Sequence, residues 1–192
     1  MLDTDTIHTC KCFQPVRNLY TNYGQIRKPE AEFSDRFAAA YQRNFCGIHR
    51  GTTRQQTLFV REVPVQGNGI ADLVALNWRH VTALSAESGP DLTQAKPIVR
   101  AFEVKLSDWR GGLMQAHRYK YFSHAAILVV PKKKLDTIKN HLDLFLTLRV
   151  GLWGFDPGSD AIVRVYTPRP RRPQIEKYSR RVLSVASNAA LT

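Results

Sequence analysis

At 192 residues the chain can bury a core of its own, and no apolar run approaches the roughly 18 residues that a bilayer-spanning helix needs, which excludes a helical membrane protein. Its 28 Lys and Arg against 16 Asp and Glu leave a formal charge of +12, a field that attracts polyanions and nucleic acid above all. Anionic membrane competes for that role, but no long basic amphipathic helix with a bulky apolar face supports it, so the expected partners exclude membrane. The N-terminus, Met1-Leu-Asp-Thr-Asp5, lacks the basic-then-apolar pattern of a secretory signal. Cys10, Cys12 and Cys46 cannot form a closed disulfide set, which fits a reducing compartment, and a cytoplasmic protein is the expectation. Cys10-x-Cys12 with Cys46-x-x-His49 could supply four zinc ligands, yet the Cys-x-Cys spacing is tight and free thiols are expected.

Residues 1–27 show no clear period and read as an N-terminal extension, with Leu19, Tyr20 and Tyr23 available for packing. A helix is expected from Pro29, a residue suited to a first turn, with an apolar stripe of Phe33, Phe37, Tyr41 and Phe45 and closure at Gly47. Thr57–Val65 is β-rich, and Gln66-Gly-Asn-Gly69 turns it into a second strand, Gly69–Leu76. Residues 85–97 read as a loop before a third strand, Ile98–Leu106. Ser107 or Asp108 can cap a helix reaching Tyr121 or Phe122, and His124–Val130 is a short strand ended by Pro131. Leu135, Ile138, Leu142, Phe145 and Leu146 mark an amphipathic helix, followed by strands near Leu152–Phe155 and Ala161–Tyr166. The order predicts an α/β domain over 28–167, a mixed sheet with helices on its faces, and a basic C-terminal tail over 168–192.

Three charged residues sit where the strand pattern demands burial. Asp72 lies inside Gly69-Ile-Ala-Asp-Leu-Val-Ala-Leu76, and Glu103 and Lys105 lie inside Ile98-Val-Arg-Ala-Phe-Glu-Val-Lys-Leu106. A buried ionised carboxylate costs several kcal/mol unless it is paired or holds a metal. Strand alternation puts Glu103 and Lys105 on one face, and Asp72 with Ile70 and Val74. On neighbouring strands, Asp72 and Glu103 can converge on one hard cation, while Lys105 positions or deprotonates a water or stabilises charge on a phosphate. The bland reading is a buried salt bridge of Lys105 with one carboxylate.

The arrangement resembles the PD-(D/E)xK, or restriction-endonuclease-like, nuclease superfamily over about residues 29–131. Ala71-Asp72 stands for the Pro-Asp pair, without its Pro, and Glu103-Val104-Lys105 matches the Glu-x-Lys triplet. The resemblance implies an αβββαβ core, Mg²⁺ or Mn²⁺ as cofactor, DNA as substrate and a further acid on the first helix. Glu30 shares the inward face with Phe33 and Phe37 and is the expected acid, hence the third metal ligand with Asp72 and Glu103. Glu32 falls off that stripe, and Glu62 is a rival. Gln115, paired i,i+4 with Tyr119, looks like the Gln that family members place beside the metal, while Gly111 and Gly112 would let a nucleic-acid backbone approach the helix start.

Phosphate contacts are expected from Lys132, Lys133 and Lys134, and from a mobile arm bearing Arg169, Arg171 and Arg172. Trp109 is expected in the core rather than stacked on a base, and His117 and His124 are expected to be structural. The function implied is metal-dependent hydrolysis of DNA, with RNA the alternative polymer and a homodimer a family-based way to cut both strands. The competing reading is a catalytically silent nucleic-acid-binding subunit.

Overall fold

The computed structural model describes residues 17–18, 29–45, 55–65, 69–79 and 95–191. Cys10, Cys12, Cys46, His49, Leu19, Tyr20, Tyr23, Gly47, the turn residues 66–68 and most of the expected loop lie outside them.

The chain builds one mixed sheet in sequential strand order. Its strands are β1 (Arg17–Asn18), β2 (Gln55–Val65), β3 (Gly69–Arg79), β4 (Ile98–Val104), β5 (Ala125–Pro131), β6 (Gly151–Asp156) and β7 (Ala161–Tyr166). β2, β3 and β4 form an antiparallel meander, β4, β5 and β6 run parallel, and β7 returns antiparallel to β6. The two-residue β1 pairs parallel to β2. The unbroken apolar run of β5, Ala-Ala-Ile-Leu-Val-Val, is buried throughout, as a parallel strand covered on both faces requires.

Helix α1 (Pro29–Phe45) covers one face. Its four-residue spacing drives Phe33, Phe37 and Tyr41 into a cluster with Phe59, Phe102, Trp153 and Phe155. Phe37 meets Phe102 edge-on at 5.4 Å and Phe155 at 5.7 Å, and Tyr41 stacks on Trp153 at 5.9 Å. Asp35 on α1 pairs with the buried guanidinium of Arg61 on β2, tying helix to sheet.

The opposite face carries α2 (Trp109–Arg118), α3 (Leu135–Lys139), α4 (Leu142–Leu148) and α5 (Glu176–Leu191). Asp108 is the cap of α2, its Oδ1 accepting the Gly111 N–H at 2.9 Å. A 3₁₀ turn over Tyr119–Tyr121 completes the expected reach of that helix.

Two expectations need correction. The single helix from Leu135 is two, separated at Asn140 and His141, because both halves point apolar residues at β5 and β6 across a bend; Leu146 is consequently half exposed. The tail is no mobile arm. Residues 176–191 are helical, and Val182 and Ala186 are buried in the same core cluster as Val60, Val74 and Val99. Tyr178, Val182 and Ala186 recur every four residues, a stripe that the surrounding arginines mask in composition.

Because Val182 is 1 % exposed, Val182→Asp is expected to destabilise the whole domain by several kcal/mol, read as a lower urea midpoint. A helix merely appended to the domain would leave that midpoint unchanged.

Candidate active site

The β3–β4 ladder ends at Leu73 and Phe102, one residue short of Asp72. Beyond it, the Val104 N–H donates to Asp72 Oδ2 at 2.8 Å, and the Lys105 N–H donates to Val129 O at 3.0 Å. A carboxylate thus replaces a backbone partner just where β4 delivers Glu103 and Lys105. Strict alternation fails here as well. Val60 and Val63 on β2, and Ala71 and Val74 on β3, face the same cluster although each pair is three residues apart. Between Val60 and Val63 sits Glu62 at φ 51°, a left-handed conformation that a non-glycine residue adopts at a cost. Asp72 falls at the matching gap in the β2–β3 pairing, between Leu73 and Ala71.

Glu103 is the centre of the cluster, and none of its side chain reaches solvent. Its Oε2 is bonded to the Tyr119 hydroxyl, which also lies 2.9 Å from Ile70 O. A hydroxyl has one proton to give. Glu103 Oε2 and the Ile70 carbonyl share it. Burial, then the charge of Asp72, pushes Glu103 up to about 7 from its ordinary 4.5, against the opposing effects of the Tyr119 and Lys105 bonds. The other oxygen, Oε1, lies 2.9 Å from Lys105 Nζ and is paired with no other group among the described residues. That contact is a buried ion pair.

Asp72 is also raised, by burial, against the opposing effects of the Val104 N–H and Lys105. Burial alone would lower Lys105, but its bond to Glu103 and the charges of Glu103, Asp72 and Glu30 outweigh that and hold its proton more tightly than usual. Burial and the neighbouring Glu103 and Asp72 charges push the Tyr119 phenol well above its ordinary range, so it remains a hydrogen-bond donor. Glu30 joins from the first turn of α1: its Oε1 accepts the Leu106 N–H at 3.2 Å, and its Oε2 lies 3.9 Å from Lys105 Nζ.

Helix α2 closes over these groups. A Cβ at Gly112 would lie 2.5 Å from Lys105 Cγ and 2.8 Å from Leu128 Cδ1, so glycine is what lets the helix sit against the lysine stem. At Gly111 a Cβ would collide with the Asp108 cap carboxylate. These two contacts give the glycine pair a packing reason within the fold. Gly112, Gln115 and Tyr119 share one helix face, which puts half-buried Gln115 between the residues over Lys105 and Glu103.

The remaining candidates divide. Glu32 is exposed, as expected, and Glu62 is half-buried at the kink. His124 Nδ1 accepts the Val99 N–H at 3.0 Å, a structural role. Trp109 stacks against His141 at 5.3 Å and Phe145 at 6.0 Å. Lys132, Lys133 and Lys134 follow the end of β5, on the sheet end that carries Lys105. Arg169, Arg171 and Arg172 belong to the other end, where the Arg171 N–H donates to His124 O at the start of β5. The two basic segments therefore lie at opposite ends of the sheet. Tyr119 is the residue whose part the sequence left unassigned, although its four-residue offset from Gln115 was available.

Among the described residues, no group of three or more His, Cys, Asp or Glu side chains forms a metal site. Glu30 is linked to the cluster through Lys105 and the Leu106 N–H and does not complete a triad with Asp72 and Glu103. The two strand carboxylates nevertheless suit a hard cation: Glu103 Oε1 has Lys105 as its sole partner among the described residues, and Asp72 commits only Oδ2 to Val104.

Between about pH 4.5 and about 7 the folded protein keeps a proton on Glu103 that the unfolded chain has released. Stability in chelator is therefore expected to be full below that window and to fall as pH rises through it, by a few kcal/mol at about 1.4 kcal/mol per unit. Thermal melting across this range should show the fall in the parent, steepened by the raised Asp72, and a flatter profile in Glu103→Gln. Gly112→Ala should displace Lys105 or α2 and cost on the order of 1–3 kcal/mol, measured by denaturant titration.

No protein-family model matches the chain, and no curated protein matches it.

Proposed function

We propose that this chain is a metal-dependent nuclease with a restriction-endonuclease-like core, hydrolysing DNA phosphodiester bonds at the Asp72, Glu103 and Lys105 cluster. The observation that carries this reading is Glu103, fully buried yet left with one oxygen that only Lys105 approaches. A fold selected for stability alone gains little from such a group, and an apolar residue of similar volume would serve it as well. The element order, helix then three-strand meander then helix then parallel strand, supports the same reading.

In this reading Asp72 and Glu103 hold Mg²⁺ or Mn²⁺, which when bound supplies Lewis acidity at a phosphoryl oxygen and lowers the pKa of water. The chain's own groups do the rest. Lys105 holds its proton more tightly than usual, so of its three expected roles it orients water and offsets phosphate charge rather than deprotonating the water. Tyr119 fixes the rotamer of Glu103, and Glu30 restrains the Lys105 ammonium from the other side. Gln115 offers an amide to a water or a phosphate oxygen. Water attacks phosphorus as the P–O ester bond breaks, and the proton it releases passes through solvent to the departing oxygen, because Asp72 and Glu103 are committed to the cation.

A second reading, a nucleic-acid-binding subunit without turnover, is favoured by one observation: three acids do not converge among the described residues. Cleavage of supercoiled plasmid and labelled single strands with Mg²⁺, Mn²⁺ or EDTA separates the two. The nuclease reading expects metal-dependent cutting that drops roughly 100-fold in Lys105→Ala. Binding without cutting under either metal would support the second reading.

A further inference from the structure

The segment Pro168-Arg-Pro-Arg-Arg-Pro173 alternates arginine with residues that fix φ and disfavour helix, so it must run extended. Tertiary bonds then fasten it. Pro168 is buried, the Arg171 N–H donates to His124 O at 2.9 Å, and the Gln174 and Ile175 N–H groups donate to Lys120 O at 3.1 Å and Tyr121 O at 2.9 Å. Arg149 Nη2 reaches Arg169 O at 3.4 Å. The backbone is thereby spent on the fold while the side chains of Arg169, Arg171 and Arg172 stay exposed.

None of these three, nor Lys120 or Arg149 beneath them, forms an ion pair with a carboxylate among the described residues. Lys120 and Arg149 have a structural explanation. Lys120 Nζ donates to Leu148 O at 2.9 Å and Arg149 caps the same helix, whose C-terminus favours cations. The three exposed arginines have none, since massing like charges there gains the fold nothing. The lysine senses the crowding: burial, then Arg149 and Arg171, lowers its pKa.

We propose that Arg169, Arg171 and Arg172 form a preorganised ridge that binds the phosphate backbone of nucleic acid, separate from the Glu103–Lys105 cluster. From His124, which anchors the ridge, to Val129, which anchors Lys105, is five residues along β5, or about 17 Å. That distance corresponds to about five base steps, so the ridge grips the polymer away from the reacting bond. The identity of the polymer rests on the nuclease reading; the anion-binding ridge does not.

The test is fluorescence anisotropy of a labelled duplex about two helical turns long, in EDTA, between about 50 and 200 mM salt. Compared with the parent, the Arg169→Ala, Arg171→Ala, Arg172→Ala triple variant should bind at least tenfold more weakly at low salt. Its log–log salt dependence should flatten by up to about 0.9 per lost contact. The corresponding triple Lys variant should keep the parental slope, because the contacts are to phosphate charge. A triple Ala variant with the parental affinity and slope would overturn the ridge. Loss of slope in a protein that cuts no DNA would leave the ridge standing and remove the nuclease reading instead.

Discussion

Burying the carboxyl group of Glu103 is the constraint around which the neighbouring elements are arranged. Water cannot solvate it, so β3 supplies the Ile70 carbonyl that helps place the Tyr119 hydroxyl, and the 3₁₀ turn that ends α2 supplies that tyrosine. Lys105 folds back from the same strand onto the remaining oxygen. Each partner constrains another element in turn: the lysine stem needs Gly112, and Gly112 sets how closely α2 approaches β4 and β5. One polar group therefore couples two strands and a helix.

The second carboxylate has a different origin. Asp72 lies where the β3–β4 ladder stops, and the left-handed Glu62 on β2 marks the same kink from the other side. Local strain and an interrupted ladder are destabilising by themselves. Here they turn Asp72 toward the end of β4, so that its carboxylate accepts the Val104 N–H and acts electrostatically on Glu103 and Lys105. The aromatic cluster beneath α1 offsets these costs with a densely packed apolar layer, and the Asp35–Arg61 pair ties that layer to the kinked strand.

Much of this was legible in the sequence because the relevant signals were periodic. The Phe33, Phe37, Tyr41 stripe marked α1, and alternation together with β-branched residues marked the strands. Asp72, Glu103 and Lys105 stood out as charges in apolar surroundings, and the structure brings all three together with Glu30. What was hidden depends on long-range geometry. The loss of alternation at Asp72 comes from a backbone conformation at Glu62, across the hairpin. Tyr119 acquires its role only when α2 folds over β4. The bend at Asn140 leaves the apolar spacing unbroken, so two helices read as one. Arginine content likewise concealed the core-facing stripe of α5.

Charge is distributed with the same economy. Lys132, Lys133 and Lys134 stand at the site end of the sheet, and the proline-fastened arginines at the other, with the apolar β5 between them. In the proposed reading Glu103 is buried to hold a cation rather than to serve the fold. Thermal melting of the parent and Glu103→Gln above pH 7, with and without excess Mn²⁺, tests this. Mn²⁺ is expected to stabilise the parent, by about 2.7 kcal/mol at a hundredfold excess over Kd, and to leave Glu103→Gln unmoved. An equal rise in both proteins, or none in either, would contradict it.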